Sequence, residues 1–250
     1  MLSKRHYVLL LLVIFTLSLY GQSADEIIQK NIEARGGYDA IKSIKSFKVV
    51  GKSLFGNMEF SFKRYIKKPD CYRSESYFGD RVMITGSNGD TTWSNMPNRS
   101  GRMVRSMGQS RRRGFMAGIP ELEGPLVDYK EKGHTVELVG RENMQGTEVF
   151  KLKVNLKDGN TKYYYIDTEY YLVLKEESLR RFQDREFVNE TYYSDYKEVD
   201  GLLIPHSIEI KRGGMQRARG GRFGGSFQIV IEKIEINPEL DPSIFEPPKG

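Results

Sequence analysis

Six arginines (Arg99, Arg102, Arg105, Arg111, Arg112, Arg113) and four methionines share the stretch from Met96 to Met116, which holds no acidic residue. A guanidinium binds phosphate or carboxylate in bidentate fashion, and methionine adapts to irregular apolar surface. The combination suits a basic lid over anionic headgroups or an acylated cargo, with Arg102, Arg105, Arg111, Arg112 and Arg113 as the contacts. Near an anionic surface each arginine adds about 1 kcal/mol, so several together could dominate weak adsorption to a membrane. A solvated loop is the other reading of the same residues.

A second basic segment, KRGGMQRARGGRFGG from Lys211 to Gly225, has the look of an arginine-glycine RNA-binding tract. It lacks the GK[ST] of a phosphate-binding loop and lies between strand patterns rather than before a helix. A basic hairpin loop is the simpler reading, and no nucleic-acid partner is expected. The whole chain carries a formal net charge of +6. Leaving out Lys4 and Arg5 and then the eleven basic residues of these two segments brings the remainder to −7. Basicity is therefore local, and points to a local partner.

Catalytic constellations are not visible. GxSxG, HExxH and cysteine-histidine metal spacings do not occur. Cys71 is the single cysteine, which rules out an internal disulfide and reads as a small hydrophobe. Glu176 and Glu177 are adjacent, so on a strand they point to opposite faces and cannot share acid-base work. No catalytic residue, metal or cofactor is expected. Trp93, the one tryptophan, reads as core or as the rim of a cavity.

Positioning any site falls to a run of strands. Phe150, Leu152, Val154 and Leu156 alternate with lysines and Asn155, the period of a strand with one wet face. Asp158-Gly159 and Asp200-Gly201 are hairpin signals. Strand patterns also cover Phe47 to Phe55, Met58 to Ile66, Cys71 to Phe78, Arg81 to Thr85 and Thr91 to Asn95. Met96 to Pro120 reads as irregular, Leu122 to Lys132 as a short helix, and the chain ends on a proline-rich hook. The N-terminal portion predicts one helix capped by Ser23 or Asp25 and stopped at Gly36-Gly37, and a second from Tyr38 to Ile44. The count is about eleven or twelve strands without β-α alternation: a mainly β, α+β fold with one antiparallel sheet, helices on one side, long enough to curl.

Residues 1–21 read as a secretory leader. Lys4 and Arg5 precede an apolar run from Tyr7 to Phe15, too short to span a membrane as a helix. Cleavage near Gly21-Gln22 or after Ala24 would leave residues 22–250 as a single domain outside the cytoplasm; an uncleaved anchor is the alternative.

The helix ending in ARGGYDAIKSIKSFKVVGK, together with GPLVDYKEKGHTVELVGRENMQGTEVFKLKV, IDTEYYLVLKEE, YKEVDGLLIPHSIEI and INPELDPSIFEPP, resembles the LolA/LolB-like outer-membrane lipoprotein-sorting proteins. The likeness runs with gaps from Asp25 to Pro248. It implies an incomplete antiparallel β-barrel of about eleven strands wrapped over N-terminal and inserted short helices. It also implies an apolar cavity for acyl chains, a periplasmic location and no catalysis. The basic segments depart from the shared pattern, so no ligand contact transfers by motif. Phe60, Phe62, Met83, Trp93, Phe150 and Leu152 are the expected lining, and an acylated lipoprotein or lipid is the expected partner of a monomer. An envelope sensor or scaffold on the same fold is the alternative.

Overall fold

The structure of the protein is a computed structural model that describes residues 22–98, 101–106, 120–182, 185–212 and 226–247. The expected leader, the Gln183-Asp184 turn, the glycine loop beyond Arg212, and Arg99 and Arg111 to Arg113 lie outside these residues.

Helix α1, Ala24–Ala34, starts as the sequence predicts. The Ser23 hydroxyl accepts from the Glu26 N–H at 3.2 Å while the Glu26 carboxylate accepts from the Ser23 N–H at 2.9 Å, a reciprocal capping box. Gly36 and Gly37 then take φ of +115° and +92°, which ends the helix. Ile27, Ile28 and Ile32 form its buried face. Helix α2, Tyr38–Lys42, is shorter than expected, yet Ile41 and Ile44 are both buried.

Among the described residues thirteen antiparallel strands form one sheet. They are β1 (Ser46–Phe55), β2 (Met58–Lys67), β3 (Cys71–Phe78), β4 (Arg81–Asn88), β5 (Thr92–Asn98), β6 (Gly101–Ser106), β7 (Thr135–Met144), β8 (Thr147–Asn155), β9 (Thr161–Asp167), β10 (Val173–Phe182), β11 (Arg185–Val199), β12 (Leu202–Arg212) and β13 (Phe227–Ile236). Their order, β6-β5-β4-β3-β2-β1-β13-β12-β11-β10-β9-β8-β7, makes two meanders joined where the first strand pairs with the last. Among the described residues the edges β6 and β7 do not pair, so the barrel stays incomplete. The strand beyond the expected number is β6, inside the stretch read as irregular; it pairs with β5 from Trp93↔Ser106 to Asn98↔Gly101.

Turn chemistry is borne out at one Asp-Gly pair and corrected at the other. Asp200 and Gly201 both have positive φ, +50° and +77°, and join Val199 directly to its partner Leu202. At Asp158-Gly159 only Gly159 is left-handed, because Leu156 and Asn160 close a wider loop through a 2.8 Å backbone hydrogen bond. The short helix expected over Leu122 to Lys132 is a chain of turns. Gly124 and Asp128 adopt φ of +48° and +52°, which interrupts a helix at both places.

One face of the sheet carries the core. Strand β1 directs Phe47, Val49 and Gly51 inward, and β13 adds Ile229, Ile231 and Ile234. Gly51 brings β13 close, since a Cβ there would run into the Val230 carbonyl and the Phe62 ring. The helices fill this side against β1, β8, β9, β12 and β13. Burying each of Ile27, Ile28 and Ile32 contributes about 1.5–3 kcal/mol, so α1 is held firmly. The chain's end packs on the opposite face of the sheet. A 3-10 turn, Pro242–Phe245, buries Phe245, and the Trp93 indole N–H donates to the Phe245 carbonyl at 2.9 Å. Arg73 adds a 2.9 Å bond to the Ile244 carbonyl.

Candidate functional site

Residues 120–134 run between the two unpaired edges and form a strap across the helices. Leu122, Leu126 and Val127 enter the core. Glu123 binds Lys42 at 3.0 Å and Lys68 at 2.6 Å, tying the strap to α2 and to the end of β2. Hydrogen bonds from Lys68 and Lys42 hold the Glu123 carboxyl down at about 2. Arg35, just past α1, donates to the carbonyls of Leu122 and Glu121.

Beneath the strap lies a cavity of about 60 Å³, bordered by Arg35, Glu121, Tyr164, Glu176, Tyr193 and Tyr196 among polar groups. Strand parity places the first two strand contributors. Lys162, Tyr164 and Ile166 share the inward face of β9, while Tyr163 and Tyr165 point outward beneath Lys151. Two local distortions place the rest. A register shift at Leu174 lets Val173 and Glu176, three residues apart, face the same side. Asp195 takes φ of +53°, and Tyr193 and Tyr196 on either side of it both reach the cavity.

The electrostatics are those of a desolvated cluster. Lys162 binds Glu176 at 3.0 Å and Glu121 at 3.6 Å. Glu176 is 8% exposed, and burial pushes its carboxyl up against the opposing pull of Lys162. For Lys162, burial disfavours the charge, but Glu121 and Glu176 more than offset it and the ammonium is held above its usual range. Burial raises Tyr164 and Tyr193 well above the phenol range, and depresses the Arg35 guanidinium. The Tyr196 hydroxyl donates to the Val173 carbonyl at 2.7 Å. Tyr164, 5% exposed, stands directly opposite Glu176 across the β9–β10 pair, and its hydroxyl interacts with that carboxylate.

The lining residues expected from the sequence do not form one group. Phe62, Phe150 and Leu152 are buried in the core among the helices. Phe60 and Met83 share the inward face farther along, by their pairing with Ser53 and Ser76, and Phe60 packs on Phe78 with ring centroids 4.5 Å apart. Trp93 points the other way: it pairs with Gly86 on the face covered by the C-terminal turn. Inward positions of β3–β5 carry buried hydroxyls instead, at Ser74, Ser76, Thr85, Ser87 and Ser94, and the neighbouring inward position of β2 holds buried Arg64 over the Phe62 ring. Arg102 and Arg105 fall on edge strand β6. Among the described residues no cluster of three or more His, Cys, Asp and Glu is arranged to hold a metal, and no helix is long and apolar enough to cross a membrane.

Residues 75–249 match a family model described as an uncharacterized protein-like family. No curated protein matches the chain by sequence. Solved structures do resemble it in fold. A DUF1329 family protein from Desulfovibrio piger is 19% identical, with 88% of this chain and 95% of that one covered at a TM-score of 0.57. A LolA superfamily protein from Nitrosomonas europaea is 13% identical, with 91% and 99% covered at 0.55. A domain from Vibrio parahaemolyticus assigned to outer-membrane lipoprotein sorting is 16% identical, with 88% and 95% covered at 0.54.

Proposed function

Because the chain belongs to the uncharacterized-protein family matched over residues 75–249, and has the fold of LolA superfamily proteins, we propose that it binds acylated ligands in the periplasm. In this reading residues 1–21 are removed on export and residues 22–250 fold as one domain. The ligand is a lipoprotein or another lipid, and the work is burial without chemistry. The supporting observation is the unclosed sheet: β6 and β7 are free edges, the strap between them is held by side chains, and helices and apolar strands line the concave side.

Magnitudes say how an acyl chain would enter. A 60 Å³ cavity holds a few waters, against the roughly 300–1,000 Å³ of a small-molecule site. A wider, open groove of about 420 Å³ lies between α1 and the strap, lined by Ile28, Ile32, Leu126 and Tyr129, but an acyl chain that is to reach the core beyond it has to displace strap or helix. Undocking the three isoleucines of α1 costs about 5–9 kcal/mol, which about six to eleven buried CH₂ groups recover at ~0.8 kcal/mol each. A long acyl chain meets that requirement and a short one does not. The arginines of the two basic segments would add affinity for anionic headgroups or a membrane surface.

The packed interior also favours a second reading, a sensor or scaffold that binds a protein partner on the same fold. Native mass spectrometry after mild extraction separates the two. A co-purifying lipid or acylated peptide supports the binder; a protein partner on an empty chain supports the sensor.

A further inference from the structure

The strand registers gather unlike chemistry at the two ends of the sheet. The hairpin turns after Phe55, Phe78, Asn98 and Phe182 share one end, where Phe55 pairs with Met58 and Phe227, Phe78 with Arg81, Asn98 with Gly101 and Phe182 with Arg185. These turns bring Arg81, Arg102, Arg180, Arg181 and Arg185 to that end, against Glu59, Asp80 and Glu186. Strand β12 finishes there too, on Lys211 and Arg212, so the end is net positive. At the opposite end the turns after Asn88, Asp167 and Val199 carry Asp90, Glu169 and Asp200 and no base. Lys68, at the turn after β2, is bound to Glu123. The positive end also exposes apolar surface. By strand parity Met58, Phe60 and Phe62 share the inward face of β2, and exposure falls from 61% at Met58 through half-buried Phe60 to none at Phe62. Phe78, 45% exposed at the tip of β3, packs on Phe60. An apolar track about 14 Å long thus runs along β2 from the rim to the core that contains Phe62.

We propose that this end of the sheet docks on an anionic lipid bilayer. Met58 and Phe78 enter the boundary between headgroups and acyl chains, and the arginines of the flanking turns meet lipid phosphates. The Met58–Phe60–Phe62 track is then the route by which an acyl chain passes between bilayer and core. That route rests on the acyl-binding reading above, and adds the surface that supplies the ligand and the end by which it enters. The acidic opposite end is repelled by the same surface, so charge alone orients the molecule on it.

The test is flotation of the mature chain with vesicles of phosphatidylcholine alone and of phosphatidylcholine mixed equally with phosphatidylglycerol. Expected is binding that requires phosphatidylglycerol and weakens as salt is added. Met58→Ser with Phe78→Ser should weaken it about tenfold, through lost apolar contact. Arg81→Ser, Arg181→Ser and Arg185→Ser together should weaken it about a hundredfold, since each base near an anionic surface is worth about fivefold. Tyr170→Ser removes a ring 64% exposed at the opposite end and should change nothing. Met58 and Phe78 are exposed, so their double variant should keep the thermal midpoint of the unaltered chain. No binding to the mixed vesicles, or binding that both tip variants leave at full strength, would overturn the docking end. Loss with the arginine variant alone would overturn the insertion of Met58 and Phe78, and equal loss with Tyr170→Ser would overturn the orientation. In each case acyl esters titrated without vesicles report on the acyl-binding reading separately. Docking that follows the tips while those esters fail to bind would overturn that reading and the route, and leave the docking surface standing.

Discussion

At the scale of single residues, the ion pair between Lys162 and Glu176 decides whether the strap cavity is a built feature or loose packing. Their side chains are 13% and 10% exposed, so neither charge is well screened by water. Removing one partner leaves a buried charge uncompensated, which costs about 3–5 kcal/mol, whereas replacing both with apolar groups can be nearly neutral. Lys162→Met should therefore lower the unfolding free energy by about 3 kcal/mol in chemical denaturation, and Lys162→Met with Glu176→Leu should recover most of it. Equal losses in the single and the double variant would show that the pair is not coupled. Little of this cluster was legible in the sequence. Lys162 does share parity with Tyr164 and Ile166, a charged residue in a core-facing row, and that was the available signal. Glu176 gave none, because regular alternation from Val173 would turn it outward and only the shift at Leu174 brings it inward. The reading of Glu176 and Glu177 as opposed in direction does hold: Glu176 binds Lys162 inside, and Glu177 binds Lys175 at 2.7 Å.

At the scale of elements, the strap and the C-terminal turn are held by different physics and should fail differently. The strap depends on Glu123, whose carboxyl sits at about 2 instead of 4.5. A depressed carboxyl stabilises the fold fully above pH 4.5 and loses that contribution as pH falls toward 2. Glu123 is partly exposed, so the effect is trimmed by solvent. Glu123→Gln should be less stable than the unaltered chain at pH 6, with the difference vanishing as pH approaches 2; a difference independent of pH would rule out the ion pairs as its source. The C-terminal turn depends on Phe245, buried beside Trp93. Phe245→Ala should cost about 3–5 kcal/mol and shift the emission of the single tryptophan to the red. Alternation and turn residues made most strands readable, along with the capping box and the glycine stop of α1. The strap resisted because its apolar spacing suits a helix while Gly124 and Asp128 forbid one. Trp93 reads as core or as cavity rim; it is buried, but on the other face of the sheet, under a turn that arrives from 152 residues away in sequence and that no local pattern announces.

At the scale of the molecule, the expected fold and the observed one agree: among the described residues, an antiparallel sheet curled over two helices and left open at one seam. The expected container is fuller than the sequence suggested, since Phe62, Phe150 and Leu152 pack as core. Long-range packing of this kind is set by how far α1 and the strap sink into the concavity, which no local pattern encodes. Acyl binding then has to be an exchange of apolar surface, dependent on chain length. Titrating the mature chain with a series of fatty acyl esters of increasing length tests this most directly. Saturable one-to-one binding should be weak for chains of about six carbons and tighten steadily beyond about ten, as each CH₂ adds ~0.8 kcal/mol. Absence of saturable binding at every length would contradict the proposal that the open seam serves acyl chains.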